Sequence, residues 1–425
     1  MINLIEELRW RGMLQDITPE TEARMLKGPI TGYIGFDPTA DSLHIGSLVQ
    51  IFLLVRLQMA GHTPIALVGG ATGMIGDPTG KAEERNLLTE DALVTNVKGI
   101  QKQLEKFLDF NAKQNPAQIV NNYNWYKDFS LLDFLRKVGK HLTVNYMMSK
   151  DSVTRRMETG LSFTEFSYQL IQGYDFYHLN QHHNCELQMG GSDQWGNITA
   201  GTELIRRLQG GDAHAFTIPL VTKADGTKFG KSEAGTNIWL DIQKTSAYQF
   251  YQFWLNTGDD EAEKYLRLFT FFTREETESK IEDHRSNPGA RQLQRTLAED
   301  ITLRVHGQDA LDTAVAATDF LFGKGNPQNR SLHAQWFEEV RNVVPGSEIP
   351  KDQITGGILL SDLLVQTGAV PSKSELKRLI QGGGLKVNYE KCEQADFALS
   401  PQHLLEDTFL IVQKGKKNYF VIKAV

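Results

Sequence analysis

"TGYIGFDPTADSLHIGSLVQIFLLVRLQMAGHTPIALVGG", from Thr31 to Gly70, sets the architecture of this chain. A short run of β-branched and aromatic residues, "TGYIGF", precedes a helical apolar pattern, "SLVQIFLLVRLQMAG", and a second short run, "TPIALVGG", follows it. Strand, helix, strand in that order predicts two parallel strands joined by a crossover helix. Gly61 reads as the helix C-cap, and Pro64, which lacks an N–H, suits only the start of the next strand. Working outward, "CELQMGGSDQ" and "FTIPLVT" read as further buried strands, the first leading into the helix "WGNITAGTELIRRLQ". The expected fold class is therefore α/β, a doubly wound parallel sheet over the first 230 residues or so. From about Thr245 to Phe322, periods near 3.6 replace the strand signal, as in "SAYQFYQFWLNTG", and predict a helical domain. Breaker-rich "GKGNPQNRS" and "VPGSEIPKDQITGG" predict a linker, with a small α+β module after it.

At 425 residues the chain exceeds what one core usually holds, which implies two or three domains. With 40% hydrophobic and 23% charged residues and no long apolar run, its composition is that of a globular protein without a membrane span. The opening "MINLIEELRWRGML" mixes acids into an amphipathic pattern and reads as a first helix, so the expected compartment is the cytoplasm. Two cysteines, Cys185 and Cys392, are too few for a disulfide framework or a thiolate metal site and read as packing residues. The net charge of −7 excludes a generally nucleic-acid-coating protein, yet it is unevenly spread. From Asp352 onward nine Lys and Arg stand against eight Asp and Glu, a net +1 that leaves −8 for the first 351 residues.

In open parallel sheets ligands bind beyond the carboxyl ends of the strands, so the residues there carry the functional signal. After the predicted strands come Asp37, Thr39, His44 and Gly46; Thr72, Asp77, Lys81 and Arg85; Ser192, Asp193 and Gln194; and Lys223, Asp225, Lys228 and Lys231. A histidine in the first turn of a helix can donate to a phosphate oxygen, the helix N-terminus favours the same negative charge, and glycine permits close approach. The loop "KADGTKFGKS" can set lysine charges against a triphosphate where negative charge develops. Taken singly, these stretches read better as a turn, a satisfied histidine and a solvated hairpin. Four of them at one end of a sheet point to a small-molecule site.

The ordered set "DPTADSLHIGS", "VGGATGMIGDPTG", "SFTEFSYQLIQGYDF", "GGSDQWGNI" and "KADGTKFGKS" resembles the bacterial tyrosyl-tRNA synthetases, class I aminoacyl-tRNA synthetases, along nearly the whole chain. "HIGS" stands where the class has a HIGH signature, with Ser47 in place of its second histidine, and "KFGKS" stands where it has KMSKS. The resemblance implies a Rossmann-like catalytic domain over 1–232, a helical anticodon-side domain over 233–323, a linker over 324–351 and an RNA-binding domain over 352–425. It implies activation of L-tyrosine by ATP to tyrosyl-adenylate and pyrophosphate, then transfer to the 3′ end of tyrosine tRNA. Magnesium would arrive with ATP, with no tightly bound cofactor and no protein metal site.

Residue by residue, the resemblance puts His44 on the ATP phosphates and Lys81, Arg85, Lys228 and Lys231 on the departing pyrophosphate. Gly35, Asp37, Thr39, Gly46, Ser47, Gly191, Asp193 and Gln194 would line the nucleotide and adenylate. Tyr33 and Asp175 would meet the substrate phenol, and Asp77, Tyr168 and Gln172 its ammonium group. Tyr168, Gln172 and Asp175 fall at i, i+4 and i+7, so a helix turns all three to one side. Lys373, Lys377, Arg378, Lys386, Lys414, Lys416 and Lys417 are the candidate tRNA phosphate contacts. The family acts as a homodimer, with Phe163 matching an interface aromatic. A tryptophan-specific relative, a non-enzymatic RNA-binding relative and a nucleotidylyltransferase with an H-x-G-H motif are the competing readings. A less polar pocket marks the first, loss of His44, Asp193, Lys228 or Lys231 the second, and the absence of the four companion motifs the third.

Overall fold

The computed structural model describes residues 3–425 except 78, 80–87, 151–152, 155–156, 158–159, 223–228, 231–234, 323–343 and 416–417. The chain divides into two compact units, one of residues 1–245 and 254–305, the other of 246–253 and 306–425.

In the first unit, five parallel strands, β1 (Thr31–Phe36), β2 (Thr63–Val68), β3 (Gln118–Asn121), β4 (Cys185–Gly191) and β5 (His214–Ile218), run in the order β3-β2-β1-β4-β5. Thr31–Phe36 pairs in register with Thr63–Val68, so the opening stretch does form the strand–helix–strand unit that its pattern predicts. The crossovers change direction between β1 and β4, and this switch point opens a crevice beyond their carboxyl ends. Two strand readings need correction. β3 follows the weak signal "AQIVNN" and was not anticipated, because only four residues pair at this sheet edge. β5 stops at Ile218 and does not run on through Thr222, since Pro219 has no N–H for the ladder. At the other edge, residues 15–18 cover β5 through Gln15 N–H to Thr217 O (2.8 Å) and Thr18 N–H to Ala215 O (2.8 Å).

Strand alternation sends neighbouring side chains to opposite faces, and two helical layers follow. A Cβ at Gly32 would stand 3.1 Å from Leu57 of helix α1 (Ile45–Met59), whereas Tyr33 packs on Phe176 of a helix on the other face. Helix α1 buries nearly its whole circumference, Arg56 included. That guanidinium caps the end of another helix, donating to Leu268 O (3.1 Å) and Thr270 O (2.6 Å). Beyond it in sequence lies α2 (Glu90–Leu104), an amphipathic helix capped by Thr89. The opposite face carries α3 (Phe163–His183) and α4 (Trp195–Gln209). Helix α3 starts at a reciprocal capping box: Ser162 Oγ accepts from Glu165 N–H (3.2 Å), and Glu165 Oε2 accepts from Ser162 N–H (3.2 Å). Between Thr245 and Phe322, the helices Ala247–Leu255, Asp259–Phe269, Arg274–Ser286, Gln292–His306 and Gln308–Phe322 fulfil the helical reading of that stretch.

The second unit contains a sheet in the order β6-β10-β9-β7-β8, formed by β6 (Gly346–Ile349), β7 (Leu385–Val387), β8 (Glu390–Lys391), β9 (Phe409–Lys414) and β10 (Asn418–Ala424). Its core gathers Leu360, Leu363, Leu376, Leu385, Leu410, Val412 and Ile422. β6 lies within residues 324–351, which the sequence reading gives to a linker; Gly346–Ile349 instead pairs in parallel with Val421–Ala424. Cys185 and Cys392 are both buried and free, as packing residues should be.

Removing the α3 cap isolates its contribution. Ser162→Ala should cost about 1 kcal/mol, read as a lower urea midpoint followed by circular dichroism.

Candidate active site

The β1–β4 crevice contains a cavity of about 180 Å³. It is lined by Tyr33, Gly35 and Asp37 from β1 and its exit, Thr72 and Asp77 after β2, Tyr168, Gln172 and Asp175 from α3, and Gln188, Gly190, Asp193 and Gln194 from β4 and its exit. The helical spacing read from "YQLIQGYD" thus does bring its three residues to one place. Gly46, His44, Ser47 and Thr39 follow β1 outside this lining, and Gly190 lines it where Gly191 was expected.

At the cavity floor, Tyr33 is 1% exposed and its hydroxyl has no hydrogen-bond partner among the described residues. Burial, then the nearby Asp175 charge, holds this phenol well above its ordinary pKa, so it stays protonated and able to donate. Asp175 is 2% exposed, and burial raises its carboxyl pKa to about 7. Three donors oppose that shift: Asn122 Nδ2 reaches Oδ2 at 3.0 Å, Trp125 Nε1 reaches Oδ1 at 2.9 Å, and the Tyr126 hydroxyl acts in the same direction. A buried polar pair of this kind suits a ligand hydroxyl that can both accept and donate.

A second polar group surrounds Asp37. Its carboxylate accepts from Tyr168 Oη (2.7 Å) and Thr72 Oγ1 (2.7 Å), and Asn122 Nδ2 donates to Thr72 Oγ1 (3.2 Å), joining this group to Asp175. Because the Tyr168 proton points at Asp37, its oxygen lone pairs remain for a cation. Gly69 makes the arrangement possible, since a Cβ there would lie 2.2 Å from Thr72 Oγ1 and 2.3 Å from Asp37 Oδ1. Asp77 accepts from Gln194 Nε2 (2.7 Å) and from Thr79 N–H (2.9 Å). Asp193, on the turn after β4, has its pKa raised by burial and by Asp77. Four acids around one small cavity, Asp37, Asp77, Asp175 and Asp193, favour a cationic group.

His44 departs from its sequence reading in an informative way. It is the N-cap of α1 and not part of the first turn, and its Nδ1 accepts from Gly46 N–H at 3.0 Å. With Nδ1 as acceptor, the proton resides on Nε2, which makes that atom a donor. Gly46 is required by the ring itself, because a Cβ at that position would fall 2.7 Å from His44 Cε1. Ser47 N–H closes the turn on His44 O at 2.8 Å. The segment after the lysine-rich loop docks here: Ile45 N–H donates to Ile238 O (2.9 Å), Leu240 N–H donates to Leu43 O (2.8 Å), and Lys244 pairs with Asp41 (2.6 Å). Lys81, Arg85, Lys223, Asp225, Lys228 and Lys231 lie outside the described residues.

In the second unit, two of the candidate cations are already paired, Lys373 with Asp362 (2.5 Å) and Arg378 with Glu375 (2.5 Å). Lys377 and Lys386 are exposed and make no ion pair among the described residues, Lys414 ends β9, and Lys416 and Lys417 lie outside them. Sequence reasoning missed Asn122, Trp125 and Gln188. The polar cluster "NNYNW" after "AQIV" was the available signal, and it was overlooked together with the strand that precedes it.

A switch-point crevice with an N-capping H-x-G turn on one side and a polar pocket on the other belongs to a known class. Residues 25–323 match the family of tRNA synthetases class I (W and Y), and residues 337–422 match the Tyrosine--tRNA ligase SYY-like C-terminal domain. The tyrosine--tRNA ligases of Flavobacterium johnsoniae and Bacteroides thetaiotaomicron are each 54% identical to the chain, with 100% of both chains covered. A C-terminally truncated Aspergillus nidulans mitochondrial tyrosyl-tRNA synthetase superposes with a TM-score of 0.69 at 29% identity, over 76% of this chain and 95% of its own. The chain belongs to the tyrosine--tRNA ligase family.

The Asp175 environment has a measurable cost. Its folded-state pKa, about 7, lies above the ordinary value of 3.8, so between those values the folded chain binds more protons than the unfolded one and stability falls as pH rises. Asp175→Asn removes this dependence. Relative to wild type, the variant should gain stability from pH 4 to 7 at up to about 1.4 kcal/mol per pH unit, measured by chemical denaturation across pH.

Proposed function

We infer that the chain is a tyrosine--tRNA ligase: it activates L-tyrosine with ATP and transfers the tyrosyl group to tyrosine tRNA for protein synthesis. The observation that carries the amino-acid assignment is the buried, unpartnered Tyr33 hydroxyl beside the buried Asp175 carboxylate. A substrate phenol completes that pair by accepting from Tyr33 and donating to Asp175. Phenylalanine would leave the Tyr33 hydroxyl unpaired and exclude water from Asp175 without replacing it by a hydroxyl donor; the family is itself the reference case for such rejection, in which no editing is needed. Asp77, Tyr168 and Gln172 receive the ammonium group, Asp37 acting through Tyr168.

The tyrosine carboxylate is the nucleophile of the first step and attacks the α-phosphate of ATP, expelling pyrophosphate. In the second step a terminal ribose hydroxyl of the tRNA attacks the acyl carbon and expels AMP. Neither step needs an enzyme nucleophile, so positioning and charge stabilisation carry the catalysis. His44 Nε2–H donates to the phosphates, and Lys81, Arg85, Lys228 and Lys231 neutralise the departing pyrophosphate. ATP enters as its magnesium complex. Gly35, Thr39, Gly46, Ser47 and Gly191 give the nucleotide room along the backbone, and Asp193 accepts from its ribose hydroxyls. The reaction belongs to the cytoplasm, and no helix among the described residues is long and apolar enough to cross a membrane.

Residues 1–232 form the catalytic domain, 233–323 bind the anticodon side, and the chain beyond the linker binds tRNA through Lys377, Lys386 and their neighbours. The working form is a homodimer. Its support is an exposed apolar set, Leu131 (71%), Leu132 (73%), Val144 (57%), Met157 (50%) and Phe163 (78%), in one stretch of the first unit.

Pyrophosphate exchange with each of the twenty amino acids tests the assignment. Tyrosine alone should support exchange, and exchange with tryptophan or with none would overturn it. Asp175→Ala should abolish most tyrosine activation. Acid should likewise raise the KM for tyrosine below about pH 7, where the free carboxyl takes up its proton. For the tail, replacing Lys377 and Lys386 together by alanine should weaken tRNA charging and lower the salt slope of tRNA binding by about one per lysine. Amino-acid activation should be unaffected.

A further inference from the structure

Behind the tyrosine cavity lies a separate groove of about 460 Å³, lined among others by Val97 and Gln101 of α2, Ile119 of β3, Asn124, Trp125 and His178. Trp125 lines the groove and Asp175 lines the cavity, yet the two side chains are hydrogen bonded, Nε1 to Oδ1 at 2.9 Å. The partition between the two spaces at this point is therefore one indole thick. His178, one turn beyond Asp175 on α3, stacks on that indole with ring centroids 4.3 Å apart and planes at 18°. His182, a further turn along, packs on His178 at 4.4 Å.

We propose that the Trp125–His178 stack is a positioning device for tyrosine selection: His178 holds the indole so that its N–H stays on Asp175 and groove water stays off the carboxylate. The inference rests on the assignment of Asp175 to the substrate phenol. Discrimination against phenylalanine depends on Asp175 gaining no water in place of the phenol, beyond the protein donors it already has. A loosened indole admits water from the groove, the carboxylate becomes hydrated without a phenol, and the cost of binding phenylalanine falls. The stack works with a neutral imidazole, because burial and the neighbouring His182 and His183 lower the His178 pKa to about 4. His178 touches no substrate and is a positioning residue only.

The test compares His178→Ala, His178→Phe and Asp175→Ala in the full-length protein, measuring pyrophosphate exchange with tyrosine and with phenylalanine and the KM for ATP. His178→Ala should lower the tyrosine-to-phenylalanine ratio of kcat/KM about threefold to tenfold, the worth of one stacked aromatic pair, with the KM for ATP unchanged. His178→Phe, which keeps a flat ring against the indole, should restore most of the ratio. An unchanged ratio in His178→Ala overturns the proposal. So does a phenylalanine variant no better than the alanine one, or a KM for ATP that rises together with that for tyrosine, since either marks a merely structural role. If Asp175→Ala itself leaves the ratio intact, the phenol assignment fails first and the proposal with it.

Discussion

Removing a carboxylate from water costs several kcal/mol unless fixed donors replace its hydration, and the Asp175 site is organised around that constraint. Its donors come from a segment far away in sequence, Asn122, Trp125 and Tyr126, which the edge strand β3 delivers to the carboxyl end of the sheet. The acceptor itself is delivered by α3, whose start is fixed by the Ser162–Glu165 capping box. Asn122 also donates to Thr72, which donates to Asp37, so the group beside the expected phenol and the group beside the expected ammonium share one hydrogen-bonded network. Such a network is rigid only when every member is satisfied. The Tyr33 hydroxyl, left without a partner among the described residues, is the place where the proposed substrate phenol would complete it.

The other half of the crevice follows from a different constraint. A helix N-terminus leaves N–H groups without partners, and α1 uses a histidine to satisfy one of them. That choice fixes the imidazole tautomer and forces glycine two residues on, because the ring occupies the space of a Cβ. The H-x-G spacing therefore has a local mechanical cause as well as a chemical use. The backbone ladder from residues 238–240 ties the same turn to the segment that follows the lysine-rich loop.

The first constraint carries a cost in stability. Asp175 is held with its pKa raised to about 7, and every proton it gives up on the way there is lost more readily from the unfolded chain. An asparagine would relieve that cost and forfeit the charge that the proposed phenol contact uses, the usual opposition between stability and activity in a pocket of buried polar groups.

Much of this was legible in the residues alone. Alternation and helical period in Thr31–Gly70 gave the parallel sheet, and the i, i+4, i+7 spacing in "YQLIQGYD" put Tyr168, Gln172 and Asp175 on one side of a helix, because both depend on local geometry that repeats along the chain. The motif order gave the family. What the tertiary structure alone decided was the long-range pairing: β3 at the sheet edge, β6 inside a presumed linker, Asn122 and Trp125 on Asp175, and His178 on Trp125. None of these has a periodic signature, since each joins single residues across dozens of positions through the strand order. Sequence determined which side chains could do the chemistry; the folded sheet determined which of them would meet, because only packing can exclude water from a charge and supply the partners that replace it.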